Sequence, residues 1–310
     1  MTATAVGHGK TILIGEHHVM DGALALATGL APFATEVAMS RHADGALRVE
    51  LQPALDPLVA DDTRQMLRAA AQSAGLDGEL RVSIASTVPM RRGLGSSAAL
   101  AVAAVRAAWQ LAGRGAPEPS ALLAAARACE NVVHGHSSGL DPAAAAGQVP
   151  LLFQHGAVVR TLAVAAQLRD ARWVLVDLGT SIPTRDAIAI AVHRRREMGA
   201  AAVAALTAQV SVAAEQAAGA LETGDLTKLA IALRSAGLAL EPLGVVSAPM
   251  QEVLARMRDA GALAAKQTGA GLGGMLLGLC PTAAAAAAVT AAVTAHSRGQ
   301  WSLAICPEAP

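Results

Sequence analysis

An α+β fold in two lobes is what this sequence predicts, and three observations predict it. Strand-like and helix-like segments mix in the first half, whereas helices with a few strands fill the second. The chain has 310 residues, beyond the roughly 250–300 residues that a single hydrophobic core readily serves. Glycine-rich breaks, at Gly93 to Gly95 and Gly269 to Gly274, separate periodic segments rather than interrupt them. The division is expected between Val159 and Trp173, giving lobes of residues 1–165 and 166–310.

Each expected element has a local reason. Thr11 to Ile14, after a glycine and a lysine, reads as a short buried strand. Leu80 to Val88 places Leu80, Val82 and Ile84 on alternate positions, the period of a half-buried strand. Ser96 opens an Ala/Leu/Val stretch to Leu111, a helix with a serine cap. Ser120 to Val133 is a second helix, capped by Ser120 and stopped by Gly135. Trp173 to Leu178 is a strand. Arg185 to Met198, Ala200 to Leu221, Leu226 to Ala239 and Pro249 to Ala260 read as helices. Leu276 to Leu279 is a short strand, Thr282 to His296 a helix, and Trp301 to Ile305 a closing strand.

Composition narrows the function classes. Lys plus Arg and Asp plus Glu are 24 each, so no basic excess exists to neutralise a phosphate backbone. A nucleic-acid partner is not expected. A pocket for one nucleotide is untouched by this argument, because it needs only local charge. Cys129, Cys280 and Cys306 have no paired spacing, which points to reduced thiols in a cytoplasmic protein. The first residues lack the basic and apolar regions of a signal peptide. Residues 267–297 carry no Asp, Glu, Lys or Arg, yet Pro281 and the weak hydropathy of alanine argue against a membrane span.

Three glycine-rich segments carry the chemistry. Gly93-Leu94-Gly95-Ser96-Ser97-Ala98 stands between a strand and a helix. A helix N-terminus offers unpaired amides and a partial positive charge, and glycines let a phosphate approach closely. The same residues also suit an ordinary turn with a serine cap. The segment is not a Walker loop, since no Gly-Lys-Ser/Thr follows at the required spacing. Thr268-Gly269-Ala270-Gly271-Leu272-Gly273-Gly274 suits either a backbone lying against a ligand or a flexible turn. Gly9-Lys10, a short strand and then Gly15-Glu16-His17-His18 place a lysine before a strand and a polar cluster after it.

Taken together, and in this order, the three segments resemble the motifs of the GHMP kinases, and within them the mevalonate kinase branch. Glu130-Asn-Val-Val-His134-Gly135 leading to Ser138-Gly139-Leu-Asp141 is similar to a further segment of that family, as are Leu240 to Val245 and Lys266 to Gly271. The resemblance implies a first lobe like ribosomal protein S5 domain 2 and a ferredoxin-like second lobe. It also implies ATP with Mg²⁺ and a small hydroxy-acid substrate, with phosphorylation of the primary hydroxyl of mevalonate as the reaction and a homodimer as one assembly open to it.

Residue by residue, it makes Asp141 the general base and Lys10 its cationic partner. Gly93, Leu94, Gly95, Ser96, Ser97 and Ala98 would cradle ATP, and Glu130 and Ser97 would hold the metal. Glu16, His17, Thr184, Gly269, Ala270 and Gly271 would contact the substrate. Asp141-Pro142 ahead of an alanine run is equally the local pattern of a helix cap.

Other classes remain to be weighed. Gly135-His136-Ser137-Ser138-Gly139 satisfies the Gly-x-Ser-x-Gly of serine hydrolases, but that elbow must follow a strand, and helical residues precede it here. A regulatory protein that binds a nucleotide without turnover is a third reading. The chain also departs from the family pattern at His18, Asp21, Arg91, Arg92, Leu272 and Met275. The extra charge of Arg91 and Arg92 would suit a more anionic substrate such as phosphomevalonate.

Overall fold

The computed structural model describes residues 2–41, 48–52, 57–77, 80–90 and 92–305. Its internal contacts divide the chain into two compact units, residues 1–10 with 29–148 and residues 11–28 with 149–310. The sequence suggested one cut near residue 165. The contacts cut elsewhere because the first two strands, β1 (Thr2–Ile14) and β2 (Ala25–Arg41), each run through both units.

In the first unit β4 (Leu80–Ser86) pairs antiparallel with β2 and parallel with β3 (Arg48–Gln52). The parallel pair needs a crossover, which α1 (Pro57–Ser73) supplies. Thr35, Val37 and Met39 of β2 are buried while Glu36 is exposed, so this half of the strand is covered on one face. The core joins Val37, Met39, Val82 and Leu67 to α2 (Ser96–Leu111) and α3 (Pro119–His134). Ala98 to Ala108 of α2 are buried almost all round, as expected for an internal helix. Small residues let strands lie directly on it: a Cβ at Gly7 would stand 2.1 Å from the Ala99 carbonyl oxygen.

The second unit holds a sheet in the order β10-β7-β9-β8, built from β7 (Arg172–Ser181), β8 (Ala264–Thr268), β9 (Gly273–Cys280) and β10 (Gly299–Ala304). All its pairings are antiparallel. In order of appearance these strands stand fourth, first, third, second, the arrangement of the expected ferredoxin-like lobe. The helices are α5 (Thr184–Met198), α6 (Ala200–Thr223), α7 (Leu226–Leu238), α8 (Ala248–Asp259) and α9 (Ala283–Val293). Met250, Leu254 and Met257 of α8 and Val289 and Val293 of α9 pack with Val174, Val176 and Leu276 of the sheet. A hairpin, β5 (Leu151–Gln154) and β6 (Ala157–Thr161), turns at His155 and Gly156, both at positive φ as a two-residue turn requires.

Several expectations need correction. β1 begins at Thr2 rather than Thr11, because its buried positions there are Ala3, Ala5, Gly7 and Gly9, which carry little hydrophobic signal. β2, β3, α1, the β5–β6 hairpin and β8 are additions. Ser96 does not cap α2; Gly95 occupies the N-cap at φ 75° with no side-chain hydrogen bond. Ser120 does not cap α3 either, since Pro119 starts that helix after Glu118, although Gly135 does end it.

Among the described residues no single helix is long and apolar enough to cross a membrane. Burial pushes the Cys129 thiol up to about 12 and the Cys280 thiol to about 11, so neither is a thiolate at neutral pH. Cys306 and Arg91 lie outside the described residues.

Candidate active site

In the first unit four segments converge near the start of α2. Lys10, on β1, is held through its backbone, whose amide donates to the Leu94 carbonyl at 2.8 Å. Its side-chain stem runs along Gly95, where a Cβ would come within 2.5 Å of Lys10 Cγ. That close approach, with φ 75°, is why glycine stands there. The ammonium then meets Asp141, with Nζ 2.9 Å from Oδ2. Asp141 lies in the first turn of α4 (Leu140–Ala145), whose N-cap is Gly139. The capping role that the Asp-Pro pair suggested is therefore not the one the aspartate has.

Glu130, near the end of α3, is 4% exposed and lies between two hydroxyls. Ser97 Oγ donates to Oε1 at 2.9 Å and Ser137 Oγ to Oε2 at 3.0 Å. Burial, and then the charge of Asp141, push the Glu130 carboxyl up to about 7, against the opposing pull of both hydroxyls and Lys10. Ser137 is itself fixed, its amide donating to Asn131 Oδ1 at 2.7 Å and its carbonyl accepting from Arg127 Nε at 2.8 Å. This serine, the would-be nucleophile of the Gly-x-Ser-x-Gly pattern, sits between two helices and is engaged by a carboxylate. That is not a hydrolase elbow. Ser137 was a residue that motif reading marked for the wrong reason.

Gly93, Leu94, Gly95, Ser96, Ser97 and Ala98 form the turn and first residues of α2, with Gly93 at φ 80° and Leu94 buried. The amides of Ser96, Ser97 and Ala98 precede the first intrahelical bond, from Ala99 N to the Gly95 carbonyl. The N-cap residue, Gly95, has no side chain with which to cap them. A helix start of this kind, two adjacent carboxylates and one lysine can bind an oligophosphate, hold a hard cation and move a proton.

The second unit gathers another part of the predicted set. Glu16 is 2% exposed and pairs with Lys266, which is equally buried. Lys266 Nζ also donates to the Gln267 carbonyl at 2.7 Å. Burial draws the Lys266 pKa down, against the pull of Glu16. His17 has φ 59° and its Nε2 donates to the Ala270 carbonyl at 2.8 Å. Burial lowers its pKa to about 4, so the ring is neutral near pH 7. Gly269 and Gly271 take φ 83° and 84°, and a Cβ at Gly271 would lie 2.4 Å from the Val245 carbonyl. Leu272 keeps a positive φ of 55° without being glycine, a strain of about 1–2 kcal/mol. Asp21, the departure beside His17, is engaged by Arg195 at 2.7 Å. Thr184 is exposed at the start of α5. Lys266 was quoted in the sequence pattern but assigned no role; a lysine followed by Gln, Thr and glycines gives no local hint that it is buried.

Comparison with known proteins identifies the family. The model for the GHMP kinases N terminal domain matches residues 62–148 and that for the GHMP kinases C terminal domain matches residues 217–299, together more than half of the chain. The chain is 30% identical to the mevalonate kinase of Aeropyrum pernix over 296 residues, covering 89% of this chain and 88% of that one. It is 28% identical to the mevalonate kinase of Thermococcus sibiricus, over 91% of this chain and 90% of that one. The crystal structure of L. major mevalonate kinase in complex with R-mevalonate shares the fold, with a TM-score of 0.84, 24% identity and coverage of 100% of this chain and 98% of that one. Matched along both of its units and by relatives of its own length, the chain belongs to the GHMP kinases.

Proposed function

We propose that this kinase transfers the terminal phosphoryl group of ATP to the primary hydroxyl of mevalonate, giving 5-phosphomevalonate and ADP. The observation that carries the reading is the Lys10–Asp141 pair, set in one cluster with Ser97 and Glu130 at the start of α2. The relatives matched over nearly their whole length are mevalonate kinases, which supports the choice of alcohol.

The chemistry follows from the side chains. Phosphoryl transfer requires positioning and charge neutralisation more than covalent participation. Asp141, 36% exposed, is reachable and takes the proton of the attacking hydroxyl. Lys10, 3% exposed, supplies a fixed positive charge beside the oxygen that loses that proton. The α2 amides and the glycines before them bind phosphate oxygens. Glu130 and Ser97 fit a divalent metal: their donors are all oxygen, and the buried carboxyl, pushed up by burial and by the charge of Asp141, is the kind of group a cation would ionise. Among the described residues no cluster of three or more His, Cys, Asp or Glu could hold a metal. Mg²⁺ keeps waters and substrate phosphates among its ligands, so two protein donors would be enough to hold it. When bound, Mg²⁺ neutralises phosphate charge.

A coupled ADP-release assay across mevalonate, phosphomevalonate, galactose and homoserine tests the reading. Mevalonate is expected to give the highest kcat/KM. Release with another of these alcohols and none with mevalonate would overturn the substrate and leave the kinase.

A further inference from the structure

The turn that carries Glu16 and His17 is fastened to β8 and the glycine loop by three successive links. Thr268 Oγ1 lies 3.0 Å from Thr11 Oγ1 and donates to the Ile12 carbonyl at 2.9 Å. Lys266 Nζ pairs with Glu16 Oε1. His17 Nε2 holds the Ala270 carbonyl at 2.8 Å. These partners are about 250 residues apart in sequence, so tertiary links add to the turn's own backbone bonds, such as Val19 N to the Gly15 carbonyl at 3.0 Å. The turn needs such support. His17 has φ 59° and ψ −45°, a conformation that a residue with a side chain keeps only when its surroundings impose it.

Glu16 and Lys266 are each 1% exposed in their side chains. Two charges so thoroughly removed from water are a costly way to gain stability, since well-packed apolar residues commonly do as well. A buried pair does fix geometry, because each charge tolerates only the position that neutralises it. Here the fixed geometry is that of the residue beside His17 and of the strand leading into Gly269, Ala270 and Gly271.

We infer that Lys266 is a positioning residue of the acceptor-alcohol site: its ion pair with Glu16 sets the 16–17 turn, and through it the His17 ring and the glycine loop that His17 holds. The inference rests on the proposed mevalonate kinase reading, in which His17 and this loop serve the acceptor. Glu16 acts in the same way, as a buried counter-ion. Its contribution to substrate binding runs through His17.

The test compares Lys266→Met with the double variant Glu16→Met/Lys266→Met, which leaves no stranded charge. Steady-state kinetics gives KM for mevalonate and for Mg·ATP. NMR follows the His17 imidazole, assigned with His17→Gln. The double variant is the decisive one, because Lys266→Met alone strands a buried carboxylate and need not fold. It is expected to melt close to the unaltered protein, to raise KM for mevalonate at least tenfold, and to leave KM for Mg·ATP within twofold. Its His17 titration is expected to move up from about 4 toward 6.5 as the loosened turn lets water reach the ring, since burial is the main cause that lowers it and outweighs the opposing pull of the Ala270 bond. Wild-type mevalonate KM and His17 titration in the double variant would make the pair merely structural and overturn the inference. A shifted His17 with unchanged mevalonate KM would overturn it as well, by separating the turn from the acceptor site. Failure of the function reading looks different: the unaltered protein would release no ADP with mevalonate, whereas the His17 titration needs no substrate.

Discussion

Lys10 Nζ stands 2.9 Å from Asp141 Oδ2, and the two partners differ sharply in access, the lysine being 3% exposed and the aspartate 36%. A buried cation thus faces a carboxylate that a substrate can reach. The pair draws on the strand before the first unit's boundary and on the helix after the Ser-Gly segment, and Gly95 makes room for the lysine stem between them.

Asp141→Asn is expected to lower kcat by about 10²–10⁴-fold, the usual worth of a general base. The amide oxygen still accepts from Lys10, so stability should fall by only about 1–2 kcal/mol. Since Gly139 holds the N-cap of α4, loss of a cap cannot account for a change in rate. Turnover within a few-fold of the unaltered enzyme, measured beside a thermal melt, would remove Asp141 as the base.

Ser97→Ala separates a metal-side role from a helix cap. The hydroxyl donates to Glu130, and Gly95 rather than Ser97 holds the N-cap of α2. Its loss should raise the Mg²⁺ concentration required for half-maximal rate about tenfold, with about 1 kcal/mol of stability lost along with one hydrogen bond. A lower melting temperature with an unchanged Mg²⁺ requirement would leave the serine as scaffolding alone.

The pH dependence of stability should contain two opposing slopes. Glu130 titrates at about 7 when folded, above the 4.5 of a free glutamate. The folded state then keeps a proton that the unfolded state releases, so this group's contribution declines as pH rises from 4.5 to about 7. His17 titrates at about 4 when folded, below 6.5. Here the unfolded state binds the proton first, so stability is full above 6.5 and is lost as pH falls toward 4. Each shift corresponds to about 3 kcal/mol across its window, and the two largely offset each other near pH 5–6. Metal-free melts of Glu130→Gln should show stability rising with pH, and those of His17→Gln should show it falling. Equal slopes in the two variants would contradict both assignments.

The helices were the most legible part of the chain. The helix from Ser96 to about Leu111 was read as it stands, and the helices of the second half were placed to within a few residues at each end, because alanine- and leucine-rich runs stopped by glycine or proline define themselves locally. The resemblance to the GHMP kinases implied Lys10, Ser97, Glu130 and Asp141 as one group, and the structure brings those four together. β2 and β8 were illegible for a physical reason. β2 contains Gly29 and Pro32, which read as breaks, and β8 is Ala-Ala-Lys-Gln-Thr, whose polar members read as solvated.

By itself, then, the sequence determined the helical segments and the glycine turn ahead of α2, which depend on neighbours close along the chain, while the membership of the site cluster came from the resemblance to the family. Only the tertiary structure decided that Ser97 reaches Glu130, that Asp141 answers Lys10 rather than holding the N-cap of α4, and that Lys266 is buried against Glu16. Each of these is a choice between a local partner and a distant one. A polar side chain takes the distant partner when folding removes water from both, since burial makes an unmet charge or hydrogen bond costly, and no local pattern records which distant residue will be there.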